Sequence, residues 1–192
     1  MRNVAALVSR LAGVVSAQKA VPFTPGAALL LIAPPVENVT RHGPDTKLSD
    51  GSILRAYEVE APGLDGDRVP LLVSFKTRPG RTFVNGIGIQ FGRARWTNSA
   101  AYALGLVPFV LEEVCLGAPD RVRLDSNVFQ AQSVGKIGNN GTGRFEKSFR
   151  GLTMRVSGSY YTQDGTMELT IDLLAAGSPG AKGWTLYCTL DE

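Results

Sequence analysis

The chain has few of the side chains that carry enzyme chemistry. Its 192 residues include one histidine and two cysteines. A hydrolase needs a nucleophile, a base and an orienting group that converge, and the sequence has no Gly-x-Ser-x-Gly motif and only His42 as a base that titrates near neutral pH. That histidine lies in the turn-like segment 41–45, which is typical of a solvated loop. We therefore expect a protein that is not an enzyme.

Signals for metals, cofactors and membranes are equally sparse. Cys115 and Cys188 have no metal-site spacing, and the glycine-rich residues 135–144 lack the Gly-Lys-Ser/Thr ending of a phosphate-binding loop. No apolar run reaches the ~20 residues of a membrane span. We expect no cofactor, no metal and no membrane span. We also expect both cysteines to be reduced, buried thiols of an intracellular product, because free cysteine is among the most buried residue types.

The overall composition is that of a folded, turn-rich domain. Hydrophobic residues make up 44% of the chain and charged residues 19%, with a net charge of +3. This balance indicates a globular protein, and the length suits one domain with a terminal arm. The 22 glycines and 11 prolines favour many turns between short strands.

The longest uninterrupted period-two pattern runs from Val69 to Trp96. Its apolar residues fall on odd positions in both halves: Val69, Leu71, Val73, Phe75, Phe83, Ile87, Ile89 and Phe91. Such alternation predicts a β-hairpin with both arms facing one core. Odd-numbered residues of one strand can lie opposite odd-numbered residues of the other only if the loop between the strands has an odd number of residues. We therefore predict a loop of three or five residues with Gly80 at a positive φ. The even face carries Gly86, Gly88 and Gly92, which predicts close approach by another strand, a subunit or a ligand.

A second hairpin is predicted near the C-terminus. Apolar residues are even between 152 and 160 and odd between 167 and 173. This parity switch favours a two-residue turn at Asp164–Gly165, with Tyr160 opposite Leu169.

The remaining segments give shorter patterns. We predict a helix over 98–116 that Pro108 breaks or restarts, with a strand as the alternative for 107–116. The other predictions are buried or half-buried strands at 27–33, 53–60, 120–125 and 128–134, and a mobile loop at 135–144.

Residues 2–20 have apolar side chains at the spacing of an amphipathic helix. The predicted stripe is Val4, Leu7, Val8, Leu11, Val14 and Val15. A signal peptide processed near Ala17 is the alternative, although Arg10 interrupts its apolar stretch. The proline-containing residues 21–25 should run extended. We therefore divide the chain into an N-terminal helical arm with a Pro-hinged linker, 1–25, and a single β-rich domain, 26–192.

The predicted fold is mainly β. Strand spacing and turn signals favour an antiparallel β-sandwich or barrel of about eight strands, with the N-terminal helical arm and one or two short helices.

Arginine accounts for 14 of the 20 basic residues. Arg78 and Arg81 are predicted at the tip of the first hairpin, and Arg93 and Arg95 lie beyond Phe91 on its second strand. These four are candidate contacts to nucleic-acid phosphates or to another subunit. No recognition-helix, RNP or zinc pattern accompanies them, so only non-specific phosphate contact is expected.

These features favour a self-assembling structural protein. Sparse catalytic chemistry, an apolar arm and a glycine-lined sheet suit a subunit that repeats against copies of itself, as in the capsid, coat or tail of a virus or bacteriophage. Such a virion protein would assemble in the host cytoplasm. The alternative is a ligand- or glycan-binding β-sandwich module of a secreted or cell-surface protein. Processing at Ala17 and glycosylation at Asn140 would favour that alternative.

Overall fold

The structure, a computed structural model, describes residues 21–179 and 186–190. It is mainly β, with 46% strand and 28% helix. The strands are β1 (Val21–Phe23), β2 (Glu37–Arg41), β3 (Thr46–Lys47), β4 (Ile53–Pro62), β5 (Arg68–Thr77), β6 (Val84–Arg95), β7 (Thr142–Phe149), β8 (Leu152–Tyr161), β9 (Thr166–Ala175) and β10 (Leu186–Cys188). The helices are α1 (Pro25–Leu29), α2 (Asn98–Val114) and α3 (Asp120–Asn140).

Eight strands form one antiparallel sheet in the order β2-β4-β5-β6-β9-β8-β7, with β3 also pairing with β4. The prediction of a mainly β, antiparallel fold of about eight strands is confirmed. The sheet is not closed into a barrel, because β2 and β7 remain at its two edges. A second, two-stranded sheet pairs β1 with β10 in parallel.

Helices α2 and α3 cover one face of the large sheet, and the hydrophobic core lies between these two layers. The sheet contributes alternate residues, which include Val73, Phe75, Ile89, Met154, Val156, Leu169 and Ile171. Helix α2 contributes Ala103, Leu104, Val107 and Leu111. Helix α2 has 17 residues in one piece, where a helix broken or restarted at Pro108 was predicted, and α3, with 21 residues, was not predicted as a helix.

The first hairpin is confirmed, and its predicted loop length is wrong. Phe75 lies opposite Ile87, so odd residues do face odd residues across β5 and β6. The loop has six residues, 78–83, because the register shifts between Lys76 and Thr77 and the bulge absorbs one residue. Gly80 has φ 66°, as predicted.

The second hairpin keeps its predicted faces but not its predicted register. Tyr160 lies opposite Met167 instead of Leu169, and four residues, 162–165, connect β8 to β9. The prediction of a two-residue turn is therefore wrong. A shift of two residues leaves every side chain on the same face, so the alternation alone could not distinguish the two registers.

Two segments that were predicted as strands are helical. Residues 25–29 form α1 because Thr24 caps the helix through Ala27 N and Pro25 occupies its first turn. Residues 120–140 form α3, which replaces the two strands and most of the loop predicted there. The buried side of α3 is largely polar, so its sequence has no apolar stripe of helical period.

Helix α2 continues through Pro108, contrary to the predicted break. Proline has no N–H, so the carbonyl of Leu104 loses its partner within the helix. Gln130 of α3 donates its Nε2 to that carbonyl at 2.6 Å, and Asn127 donates to the carbonyl of Gly105 at 3.2 Å. The bond from Gln130 thus satisfies the carbonyl that the proline would otherwise leave unpaired, and the bond from Asn127 adds a second polar contact between the helices.

The cysteines are not free thiols. Cys115, which follows α2, and Cys188 in β10 form a disulfide, so the prediction of reduced thiols is wrong. Both residues are fully buried and 73 positions apart, which explains why local spacing gave no sign of the bond. The arm itself, residues 1–20, and its stripe lie outside the described residues, so the division at residue 25 stays a prediction.

Candidate assembly surface

An apolar groove runs between α2 and α3 on the side facing away from the sheet. It has a volume of about 360 Å³ and is lined by Ala101, Tyr102, Gly105, Leu106, Phe109, Leu124 and Asn127. Leu124 is 59% exposed, and the neighbouring Val128 is 57% exposed. We name this surface the helix groove. It places large apolar side chains together in solvent, as surfaces that bind another protein segment do.

The side chains of the helix groove come from two helices with different sequence signals. Between Ala100 and Leu111, α2 is apolar around its whole circumference, which is more than one contact face requires. That excess could have predicted a second contact surface. Leu124 and Val128 could not be assigned to it, because their segment was predicted as strands.

The chain enters the domain near one end of the groove. Phe23 pairs with Cys188, and Cys188 is bonded to Cys115 just beyond the end of α2. Cys115 follows Phe109 by six residues, which corresponds to roughly 9 Å along a helix. The disulfide and the β1–β10 pairing therefore hold Phe23 near the C-terminal end of α2. Cys115 is fully buried, whereas the groove lies on the exposed side of the helix.

Beneath the groove, the contact between α2 and α3 is polar. Glu112 is 1% exposed and accepts a hydrogen bond from Ser126 Oγ at 2.7 Å. Burial raises the pKa of Glu112 to about 8, although the bond from Ser126 and the charge of Arg123 oppose that shift. Arg123 pairs with Glu113 and Asp120 and stacks on Phe109. These partners fix how the two helices sit beside each other.

The outer face of the sheet, opposite the helices, carries the glycines of β6. A Cβ at Gly88 would lie 2.6 Å from Ser74 Oγ, and one at Gly86 would lie 3.1 Å from Leu174 Cδ2. Side chains of the adjacent strands thus make the close approach at these two positions. At Gly92 the Cβ position has no atom within 4 Å among the described residues other than its two chain neighbours.

The four predicted arginines do not form one patch. Arg78 and Arg81 lie before the start of β6, and Arg93 and Arg95 lie at its far end, roughly 35 Å away for a strand of this length. Arg78 donates to the carbonyls of Ala175 and Ala176.

At the other end, Arg93 pairs with Asp164 at 2.7 Å and lies over the ring of Tyr161. The side chains of Arg81 and Arg95 make no hydrogen bond or ion pair within the described part of the chain. Two of the four guanidinium groups therefore hold the fold itself, and contact with nucleic acid stays a prediction.

A polar trough crosses the outer face over β2, β4, β5 and β6. Its volume is about 550 Å³, and its polar lining includes Asn38, His42, Glu58, Glu60, Gln90 and Arg93. Asn38 donates to Glu60, and His42 Nδ1 lies 2.6 Å from Glu58 Oε1. Within residues 21–179 and 186–190, no three His, Cys, Asp or Glu side chains cluster as metal ligands would. None of the helices described is both long enough and apolar enough to cross a membrane.

Comparison with protein-family models, with curated proteins and with solved structures finds no match to this chain.

Proposed function

We propose that this protein is a self-assembling structural subunit, of the kind that builds the capsid, coat or tail of a virus or bacteriophage. In this proposal the helix groove of one copy receives the amphipathic N-terminal segment of another. The observation that carries the proposal is the exposed apolar lining of the groove, and the apolar spacing in residues 2–20 predicts a helix whose stripe would match it.

The two surfaces are complementary in chemistry. The groove exposes Leu124 and Tyr102, and Gly105 on its lining would let a second helix come close. The predicted stripe has six aliphatic side chains, each of which stabilises a contact by about 1.5–3 kcal/mol when fully buried. Association itself costs at least about 4 kcal/mol in lost translational and rotational freedom, so the proposal requires most of the stripe to be buried in the contact.

The disulfide supports a particle that meets an oxidising environment. Disulfides persist at virion and cell surfaces and are rare in reducing cytosol. Under the proposal, subunits assemble in the host cytoplasm and the Cys115–Cys188 bond closes once the particle has left it.

The experiment is multi-angle light scattering of the full chain with a charge placed in the groove. Leu124→Asp should shift the protein from large assemblies to small species, because a carboxylate there would have to be desolvated by the incoming helix. Leu11→Asp, on the predicted stripe, should have the same effect.

Gln163→Asp, in the exposed turn between β8 and β9, is the matched control and should assemble as the unmodified chain does. Unchanged far-ultraviolet circular dichroism would establish that each variant is folded. Assembly of Leu124→Asp at the normal concentration would contradict the proposal.

A second candidate, a ligand-binding module of a secreted or cell-surface protein, is favoured by the polar trough together with the disulfide. Two aromatic rings line the trough: Phe91 is 3% exposed, whereas the imidazole of His42 is exposed and pairs with Glu58. Pro70 and Leu72 add apolar surface beside the polar side chains, so a small ligand with both polar and apolar groups suits this lining. Chemical-shift changes at Gln90 and Glu58 during titration with polar metabolites would support this candidate, and a trough that does not respond would exclude it.

A further inference from the structure

Strand β7 is a long, regular strand at an open edge of the sheet. All eight of its residues, Thr142–Phe149, pair with β8 without a bulge, and no other described strand pairs with it. The opposite edge differs, because β2 has a register shift between Glu37 and Thr40 and a positive φ at Asn38. Irregularity of that kind protects an edge from pairing, and β7 lacks it.

The backbone groups of β7 that point outward can be assigned. Tyr160 N donates to the carbonyl of Gly141 at 2.7 Å, so the odd-numbered residues of this ladder bond to β8. The two-residue turn between Phe149 and Leu152 agrees with this assignment, because the residues that flank such a turn bond to each other and Phe149 is odd-numbered. The N–H and C=O groups of the even-numbered residues therefore point to the open edge: Thr142, Arg144, Glu146 and Ser148.

We propose that β7 pairs antiparallel with β7 of a second copy, about a two-fold axis at Phe145. This inference rests on the proposed self-assembly and names one of its contacts. In this register Arg144 of each copy lies opposite Glu146 of the other, so the strand is complementary to itself. A shift of the axis by one residue would place Arg144 opposite Arg144, or Glu146 opposite Glu146, and like charges directly opposite are destabilising.

The helical layer is compatible with this pairing. Helix α3 contacts both β7 and β8, so it lies over the space between them. With strands about 4.8 Å apart, the α3 helices of two copies would lie roughly 10 Å apart across the axis. Packed helices lie 8–10 Å apart, so the sheet and the helices can continue from one copy to the next together.

Two lysines lie on the helix side of this edge. Lys147 Nζ lies 5.2 Å from the ring centre of Phe149, and Lys136 Nζ lies 5.4 Å from that of Phe145. Lysines on an edge strand disfavour indiscriminate pairing. In the proposed register Lys147 faces Gly143 of the second copy. The ring of Phe145 already lies over Gly143, so the side chain of Lys147 has to extend past that ring. The two Lys136 side chains oppose the pairing, and the two Arg144–Glu146 contacts offset that repulsion.

The test is hydrogen exchange of the assembled full-length protein, quenched and read amide by amide. The odd amides of Phe145 and Lys147 bond to β8 in any case and serve as an internal reference. The even amides of Arg144, Glu146 and Ser148 should be protected to a similar degree, by a factor on the order of 100 over free amides. Even amides that exchange as free amides beside protected odd ones would overturn the inference.

Charge reversal tests the register. Within each copy Glu146 pairs with Arg155 of β8, so the charges are reversed in a background of Arg155→Gln, which should itself keep the even amides protected. In that background Arg144→Glu and Glu146→Arg should each remove protection of the even amides while the odd amides stay protected, which shows that the hairpin is intact. The double variant carrying both changes should restore the protection of the even amides, because position 144 of each copy is then acidic and position 146 basic, and the two again lie opposite each other with unlike charges. Loss in the single variants without restoration in the double variant would overturn this register.

Light scattering on the same samples separates this inference from the proposed function. Assemblies with unprotected even amides would refute the β7 pairing alone. A dimer with protected even amides and no larger species would refute the docking of the arm alone.

Discussion

The continuity of α2 through Pro108 should depend on one side chain of the neighbouring helix. Gln130 is 4% exposed and donates to the carbonyl of Leu104, which has no N–H to accept from within its own helix. Gln130→Leu keeps the volume of the side chain and removes the donor. An unpaired buried carbonyl costs about 1–3 kcal/mol. Gln130 Oε1 has no hydrogen-bond partner in the described structure, so its removal offsets part of that cost, and we expect a net loss of about 1–2 kcal/mol.

A double-mutant cycle measures how much of this loss depends on the N–H that Pro108 lacks. Pro108→Ala restores the N–H that can bond to Leu104, so Gln130→Leu should cost less in that background, with a coupling of about 1 kcal/mol. Urea unfolding of the four proteins measures the coupling, and Gln132→Leu, exposed on the same helix, is the control. Equal costs of Gln130→Leu in both backgrounds would refute the account of Pro108.

Two further predictions concern buried groups. Because burial raises the pKa of Glu112 from an ordinary 4.5 to about 8, the native state retains a proton that the unfolded chain has released between those values. The contribution of Glu112 is therefore full below pH 4.5 and is lost as the pH rises towards 8, by up to about 1.4 kcal/mol per pH unit. Glu112→Gln should remove this decline when urea unfolding is compared at pH 5 and pH 8, and an unchanged slope would contradict the assignment. The Cys115–Cys188 bond closes a loop of 73 residues, so its reduction should cost about 4 kcal/mol of stability, measured as a lower urea midpoint in dithiothreitol. Two free thiols in the unreduced, denatured protein would show that the bond does not form.

The sheet could be predicted because most of its strands bury one face only. In β6 each apolar residue alternates with a polar residue or a glycine, and in β5 the apolar residues at odd positions are the buried ones, so the period, the hairpin and the shared core face were all readable from the sequence. Registers were not readable. The bulge near Thr77 and the two-residue shift at Tyr160 both leave the inward-facing residues inward.

Helix α3 was missed for a physical reason. The side chains it buries include Ser126, Gln130 and Ser133, which bond to α2 or to their own helix and give no apolar period. A helix that packs through hydrogen bonds to another helix does not show the apolar period of 3.6 residues that a helix packed on a hydrophobic surface shows. The helix groove was missed as a consequence, since Leu124 and Asn127 of its lining belong to α3.

The disulfide was missed because its two cysteines are distant in sequence and lie in different elements. Pairing them required knowing that β10 returns to the end of α2.

The central claim is that the N-terminal segment joins copies of this chain. Sedimentation velocity of the full chain and of a variant lacking residues 1–20, across a range of concentration and salt, tests it most directly. The account predicts large particles for the full chain and a folded small species, no larger than a dimer, for the shortened one. A full chain that sediments as a monomer under all conditions would contradict the account.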